Sequence, residues 1–239
     1  MQVREALERE ADATREFLAH APVPAPEPLA IGEPEESFPL PWTVHTWLPG
    51  AIATPDSVSS SHAFARDLAR LIWALRTVDV RGRTFRSGRG GRRGGQLSTH
   101  DAWMEICFQR STGLVDVAPL RRLWAELRQL PQPGTLAMTH GDLTPMNLLV
   151  EGDRLAGVLD TGDFGPADPA LDLVCAWHLF EAGPRGTLRD ALSCPGDEWQ
   201  RGMAWAFEQA MGLGWYYQRT NSLMAKLGYS TLARIVAAA

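Results

Sequence analysis

The stretch Thr139-His140-Gly141-Asp142-Leu143-Thr144-Pro145-Met146-Asn147-Leu148-Leu149-Val150, followed after one turn by Gly157-Val158-Leu159-Asp160, decides the fold. It sets an Asp and, five residues later, an Asn on one loop. The apolar run that follows predicts a hairpin, whose return strand delivers a second Asp at its end. A loop carboxylate can accept the proton of an attacking hydroxyl. A side-chain amide oxygen and a second carboxylate are hard oxygen ligands of the kind Mg²⁺ takes when it carries a nucleoside triphosphate. Asp142 is therefore the candidate base, and Asn147 and Asp160 are the candidate metal ligands. A lone His-Gly-Asp triplet would say little, since short triplets recur by chance; the linked Asn and second Asp give it meaning.

Further along, Asp168-Pro169-Ala170-Leu171-Asp172-Leu173 has the form of a helix start, with Asp as N-cap and Pro at the first helical position. With His140-Gly141-Asp142-Leu143, Asn147-Leu148-Leu149-Val150 and Val158-Leu159-Asp160, it makes the segment 136–175 resemble the aminoglycoside phosphotransferase family of kinase-like small-molecule kinases. Weaker similarity runs from about residue 8 to the C-terminus. The resemblance implies an α+β, protein-kinase-like fold: a remnant of the small nucleotide-binding lobe and the inter-lobe linker over 1–50, and a mostly helical catalytic and substrate lobe over 51–239. It implies ATP or GTP with Mg²⁺ as cofactors, and phosphoryl transfer to a hydroxyl of a small molecule, an aminoglycoside-like antibiotic or related alcohol. Backbone groups near Thr46, Trp47 and Leu48 would face the purine, the alternative for that stretch being an ordinary strand end. Glu10, with Glu8 as a register alternative, matches the helix glutamate that pairs the strand lysine of a kinase fold.

A kinase-like fold normally opens with a Gly-rich loop over the phosphates and that strand lysine. Neither is in this sequence, whose one lysine is Lys226. The expectation is a truncated N-terminal β lobe, weak nucleotide affinity, and little or no phosphotransfer by this chain alone. Other readings stay open: a non-catalytic kinase-like binding module, the remnant of a truncated gene, or a complete enzyme whose first strands are encoded upstream of Met1. Short strands predicted at 28–32 and 43–48 would present an exposed sheet edge, so self-association through the N-terminal 50 residues is expected.

Among supporting residues, His140 is expected to hold the loop by bonding backbone, and Asp163 to serve as a supporting acid or substrate contact. Asp168 and Asp172 read as a helix cap and a buried acceptor under the catalytic loop. Thr161 stands where the resembled family commonly has an aromatic residue.

Apolar periodicity predicts helices over 3–20, from Ser57 to about Val78 with Phe64, Leu68, Leu71, Ile72 and Leu75 on one face, over 98–111 and 116–130, and again through 184–239. Trp199, Trp205, Trp215, Tyr216 and Tyr217 read as helix-packing residues. Between the second and third helices, residues 81–95 hold six arginines among glycines. They read as a solvated loop, with a phosphate-binding lip or a nucleic-acid contact as the sharper alternatives.

A net charge of −5 disfavours a general nucleic-acid binder and suits a cationic substrate. Cys107, Cys175 and Cys194 lack metal-site spacing and read as reduced, buried thiols. The charged N-terminus is unlike a signal peptide, and no apolar run approaches the roughly 18 residues that span a bilayer. The expected partners are therefore a nucleotide and a small hydroxyl substrate, with neither nucleic acid nor membrane, in the cytoplasm.

Overall fold

The computed structural model describes residues 2–85 and 93–238. Most of the arginine loop, 86–92, lies outside the described residues. The chain opens with helix α1 (Gln2–His20), whose Phe17 is fully buried while Val3 stays exposed. Strands β1 (Pro28–Gly32) and β2 (Trp42–His45) pair antiparallel as a two-stranded sheet, with Gly32 opposite Trp42. The second strand stops at His45, short of the expected end at 48, because Thr46 turns back to Glu27: its N–H donates to the Glu27 carbonyl at 3.0 Å and its hydroxyl accepts from Glu27 N at 2.8 Å.

A short strand β3 (Ala51–Ile52) leads into α2 (Pro55–Val58) and α3 (His62–Arg76). The single helix expected from Ser57 is thus two. Thr54 caps the first in a reciprocal box with Ser57, and Ser61 caps the second by accepting from Phe64 N. The predicted face of α3 is fully buried at Phe64, Leu68, Leu71, Ile72 and Leu75, each worth roughly 1.5–3 kcal/mol of burial. Helices α4 (Asp101–Arg110) and α5 (Val117–Leu127) follow.

Next come β4 (Ala137–Thr139), the hairpin β5 (Leu148–Glu151) and β6 (Arg154–Val158), and β7 (Gly165–Ala167). β3, β5 and β6 form one antiparallel sheet; β4 pairs with β7. Asp67 of α3 clamps the hairpin: its carboxylate accepts from Arg154 Nε at 2.6 Å, Arg154 Nη2 at 2.7 Å and Leu155 N at 3.3 Å. The Arg154 bonds, more than anything else, hold its carboxyl below the usual range.

Asp168 caps the next turn by accepting from Ala170 N, but that turn, Pro169–Leu173, is a tight 3₁₀ turn and α6 (Val174–Leu179) starts only after it. The Asp168 carboxylate also accepts from Arg201 Nε at 3.0 Å and Trp205 Nε1 at 3.3 Å, all of it buried. Removing one partner of such a pair costs about 3–5 kcal/mol. Helices α7 (Ala182–Ala191), α8 (Gly196–Tyr217) and α9 (Ser222–Val236) complete the helical part, with Trp205 and Phe207 of α8 at its centre. Cys107, Cys175 and Cys194 are buried and unbridged, and burial pushes the thiol of Cys107 up to about 11. No described helix is long and apolar enough to cross a membrane.

Candidate active site

The loop after β4 is built around a buried carboxylate. Asp172 is fully buried; its Oδ2 accepts from His140 N at 3.0 Å and its Oδ1 from Gly141 N at 2.9 Å. Burial pushes its carboxyl up, opposed by the two N–H groups. Gly141 has φ +87°, a left-handed turn a side chain would strain, and that turn brings Asp142 round toward His140. The imidazole Nε2 of His140 lies 2.9 Å from the Leu159 carbonyl, which can only accept; Nδ1 lies 3.2 Å from Asp142 N, which can only donate. The tautomer is therefore Nε2–H, with both ring nitrogens spent on backbone. Phe17 of α1 covers the ring edge-on at 5.9 Å.

Asn147 follows the same logic. Its Nδ2 donates to the Asp142 carbonyl at 2.9 Å and to Asp142 Oδ2 at 3.2 Å, which fixes the amide and turns Oδ1 away from Asp142. Leu159 N donates to the Asn147 carbonyl at 2.8 Å, tying the end of β6 to this loop and carrying Asp160 to the same place. Asp160 sits at φ +55°, an uncommon conformation for a residue with a side chain and one found at sites under functional constraint. Thr161 beside it is buried and donates to Thr14 Oγ1 of α1 at 3.1 Å.

Asp142, Asn147 and Asp160 line one cleft of ≈ 830 Å³, together with Trp103, Glu208 and Tyr216. Tyr216 is 60 % exposed, so it and Tyr217 form cleft wall, unlike Trp199 and Trp205, which are core as expected. Asp142 and Asp160 also border a second cleft of ≈ 1050 Å³ under α1, with Glu10 and Asp163 on its rim. Glu10 is exposed and its stem covers Gly162. Thr46, Trp47 and Leu48 line neither cleft; Trp47 is 91 % exposed and Leu48 rests beside Gly157. Arg83, from the arginine loop, is committed to Glu16 through two bonds of 2.8 and 3.0 Å.

Three site residues escaped the sequence reading. Gln209 Nε2 lies 3.5 Å and Arg93 Nη2 3.4 Å from Asp142 Oδ1, and the buried Glu208 faces Arg93. Gln209 is held from behind: its Oε1 accepts from His178 Nε2 at 2.8 Å, and His178 Nδ1 accepts from the Thr231 hydroxyl at 2.9 Å. Arg93 was visible only as one arginine of six, and a buried Gln or Glu in an apolar helix gives no local signal.

One amide oxygen and one carboxylate beside an open cleft suit Mg²⁺, which is bound by one or two protein oxygens with substrate phosphates and water completing its shell.

A family model described as the phosphotransferase enzyme family matches residues 2–205. Aminoglycoside 3'-phosphotransferases of Escherichia coli and Salmonella typhimurium are each 31% identical over 80 residues, 29% of this chain and 30% of the relative. Among solved structures, the GDP and kanamycin complex of APH(2")-IIia superposes with a TM-score of 0.69 at 17% identity, covering 98% of this chain and 82% of that one. Macrolide 2'-phosphotransferase MphH from Brachybacterium faecium gives 0.59 at 20% identity, covering 96% and 81%. The loop, hairpin and helix start described above lie inside the matched span, and the chain belongs to the phosphotransferase enzyme family, with the kinase-like α+β fold of the aminoglycoside phosphotransferases.

Proposed function

We propose that the chain is a phosphotransferase that moves the terminal phosphoryl group of ATP or GTP to a hydroxyl of a small molecule, an aminoglycoside-like antibiotic or related alcohol. The observation that carries this is the contact of Asn147 Nδ2 with Asp142 Oδ2 at 3.2 Å in a cleft that Asp160 also lines. Residues 1–50 are read as the nucleotide-side part and linker and 51–239 as the catalytic and substrate lobe, with Thr46 to Leu48 toward the purine and Glu10 and Asp163 as supporting acids. The nucleotides and antibiotics named with the solved relatives support the same assignment.

Asp142 accepts the proton of the acceptor hydroxyl as that oxygen bonds to the terminal phosphorus. The bond from that phosphorus to its bridging oxygen breaks, its electron pair leaves with the nucleoside diphosphate, and the proton passes from Asp142 to water. Asn147 holds the carboxylate toward the acceptor, and His140 holds the loop without taking part in proton transfer. Asn147 Oδ1 and Asp160 would hold Mg²⁺, which when bound neutralises charge on the phosphates.

The test is phosphotransfer from ATP and GTP, with Mg²⁺, to a panel of aminoglycosides, macrolides and simpler alcohols. The expected result is turnover that falls about 10²–10⁴-fold in Asp142→Asn and Asp142→Ala with the circular dichroism spectrum intact. Mg²⁺-dependent nucleotide binding without transfer to any acceptor would favour the binding-module reading, and unchanged turnover in both variants would remove Asp142 from the mechanism.

A further inference from the structure

Arg93 is fixed at its root and short of partners at its tip. Gly94 after it has φ +103°, and a side chain there would meet Ala167 at 2.9 Å and Leu171 at 3.1 Å. The Gly94 carbonyl accepts from Asp168 N at 3.1 Å, and a side chain at Gly95 would meet the Phe85 ring at 2.9 Å. The two glycines thus let the backbone seat against the corner that carries Asp168, and the Arg93 side chain starts from a set position beside the catalytic loop.

Its guanidinium borders both clefts. Nη2 is 3.4 Å from Asp142 Oδ1, long beside the roughly 2.8 Å of a good charge-assisted bond, and Nη1 is 3.7 Å from Glu208 Oε2, beyond hydrogen-bond reach. Nε is buried and has no hydrogen-bond partner among the described residues. Nε and Nη2 form one edge of the rigid fork with which arginine grips phosphate bidentately, so this edge holds an orphan donor and a stretched bond. Among the other arginines bordering either cleft, Arg83 is taken by Glu16, and Arg9 sits on α1 across the second cleft alone. Glu208 keeps a partner if Arg93 moves, since His100 Nδ1 lies 3.1 Å from its Oε1.

We propose that the Nε/Nη2 edge of Arg93 binds the terminal phosphoryl group of the nucleoside triphosphate beside Asp142, releasing the carboxylate as it does so. Arg93 then supplies a cation where the loop's own Leu143-Thr144-Pro145 has none. This rests on the cleft taking a triphosphate, as proposed above.

Calorimetry with ATP and with ADP, each with Mg²⁺, on the wild type, Arg93→Met and Arg93→Lys tests it. The wild type is expected to prefer ATP. Arg93→Met should lose about 10- to 100-fold in ATP affinity, the size of a lost charge-assisted bond, with ADP affinity unchanged. Arg93→Lys, which keeps the charge without the fork, should fall between and also guards against a folding defect in the Met variant. An ATP preference retained in Arg93→Met, or an equal loss for ATP and ADP, would overturn the role of Arg93 alone; a wild type that binds neither nucleotide would overturn this role together with the function it rests on.

Discussion

The hydroxyls of Thr14 and Thr161 meet at 3.1 Å, and both residues are buried, so a hydrogen bond spanning 147 residues of sequence joins the first helix to the residue after Asp160. Phe164 N donates to the Thr161 carbonyl at 3.1 Å, and the Phe164 ring meets Phe17 of the same first helix edge-on at 5.6 Å.

The pair should behave as a unit. Thr161→Val leaves the Thr14 hydroxyl buried without its partner and should cost about 1–3 kcal/mol, whereas Thr14→Val with Thr161→Val should be nearly neutral, because both polar groups are then gone. Urea midpoints of the two single variants and the double variant measure this; additive losses would mean that the hydroxyls act independently.

Metal dependence follows from Asn147 Oδ1 and Asp160. Nucleotide affinity measured by calorimetry should rise on adding Mg²⁺, and Asp160→Ala and Asn147→Ala should each remove most of that rise. Equal affinity with and without the metal in the wild type would take both residues out of the metal site. Asn147→Ala should in addition slow turnover beyond its effect on binding, because its amide also holds the Asp142 carboxylate.

Stability should depend on pH through His178. Burial, with smaller contributions from Arg93 and Arg234, lowers its pKa from 6.5 to about 4. The folded-state value is depressed, so the contribution is fully present above about pH 6.5; as pH falls toward 4 the unfolded chain takes up a proton that the folded chain refuses. Stability should therefore drop by up to about 3 kcal/mol across that window. Urea unfolding at pH 7, 5.5 and 4.5 should show the drop in the wild type, and a smaller one in His178→Gln, which has no group titrating there.

The β1–β2 sheet should drive self-association. Leu29 is 61 % and Phe38 52 % exposed, with Leu40, Trp42 and Val44 also exposed on or beside a two-stranded sheet. Open edges next to apolar surface invite pairing with another chain. Light scattering should show association that weakens in Leu29→Glu with Phe38→Glu. A wild type that stays monomeric at all concentrations would show that this face is self-sufficient.

What could be read from the sequence was local. The hairpin from Leu148 to Val158, the Asp168 cap and the buried stripe of α3 are each specified by residues within a few positions of one another, so spacing and residue type sufficed. The break between α2 and α3 was missed because Thr54 and Ser61 are as good caps as Ser57, and helical periodicity does not choose between adjacent caps.

By itself the sequence determined the kinase-like framework and the candidate trio Asp142, Asn147 and Asp160, since these lie on one loop and one hairpin whose geometry their own backbone dictates. Tertiary structure decided what surrounds them: Arg93 and Gln209 reach Asp142 from 49 and 67 residues away, and Thr14 reaches Thr161 from 147. Such contacts leave no period and no motif, because they depend on how separate helices pack, and a side chain's partner across a cleft is set by that packing and not by its neighbours in the chain.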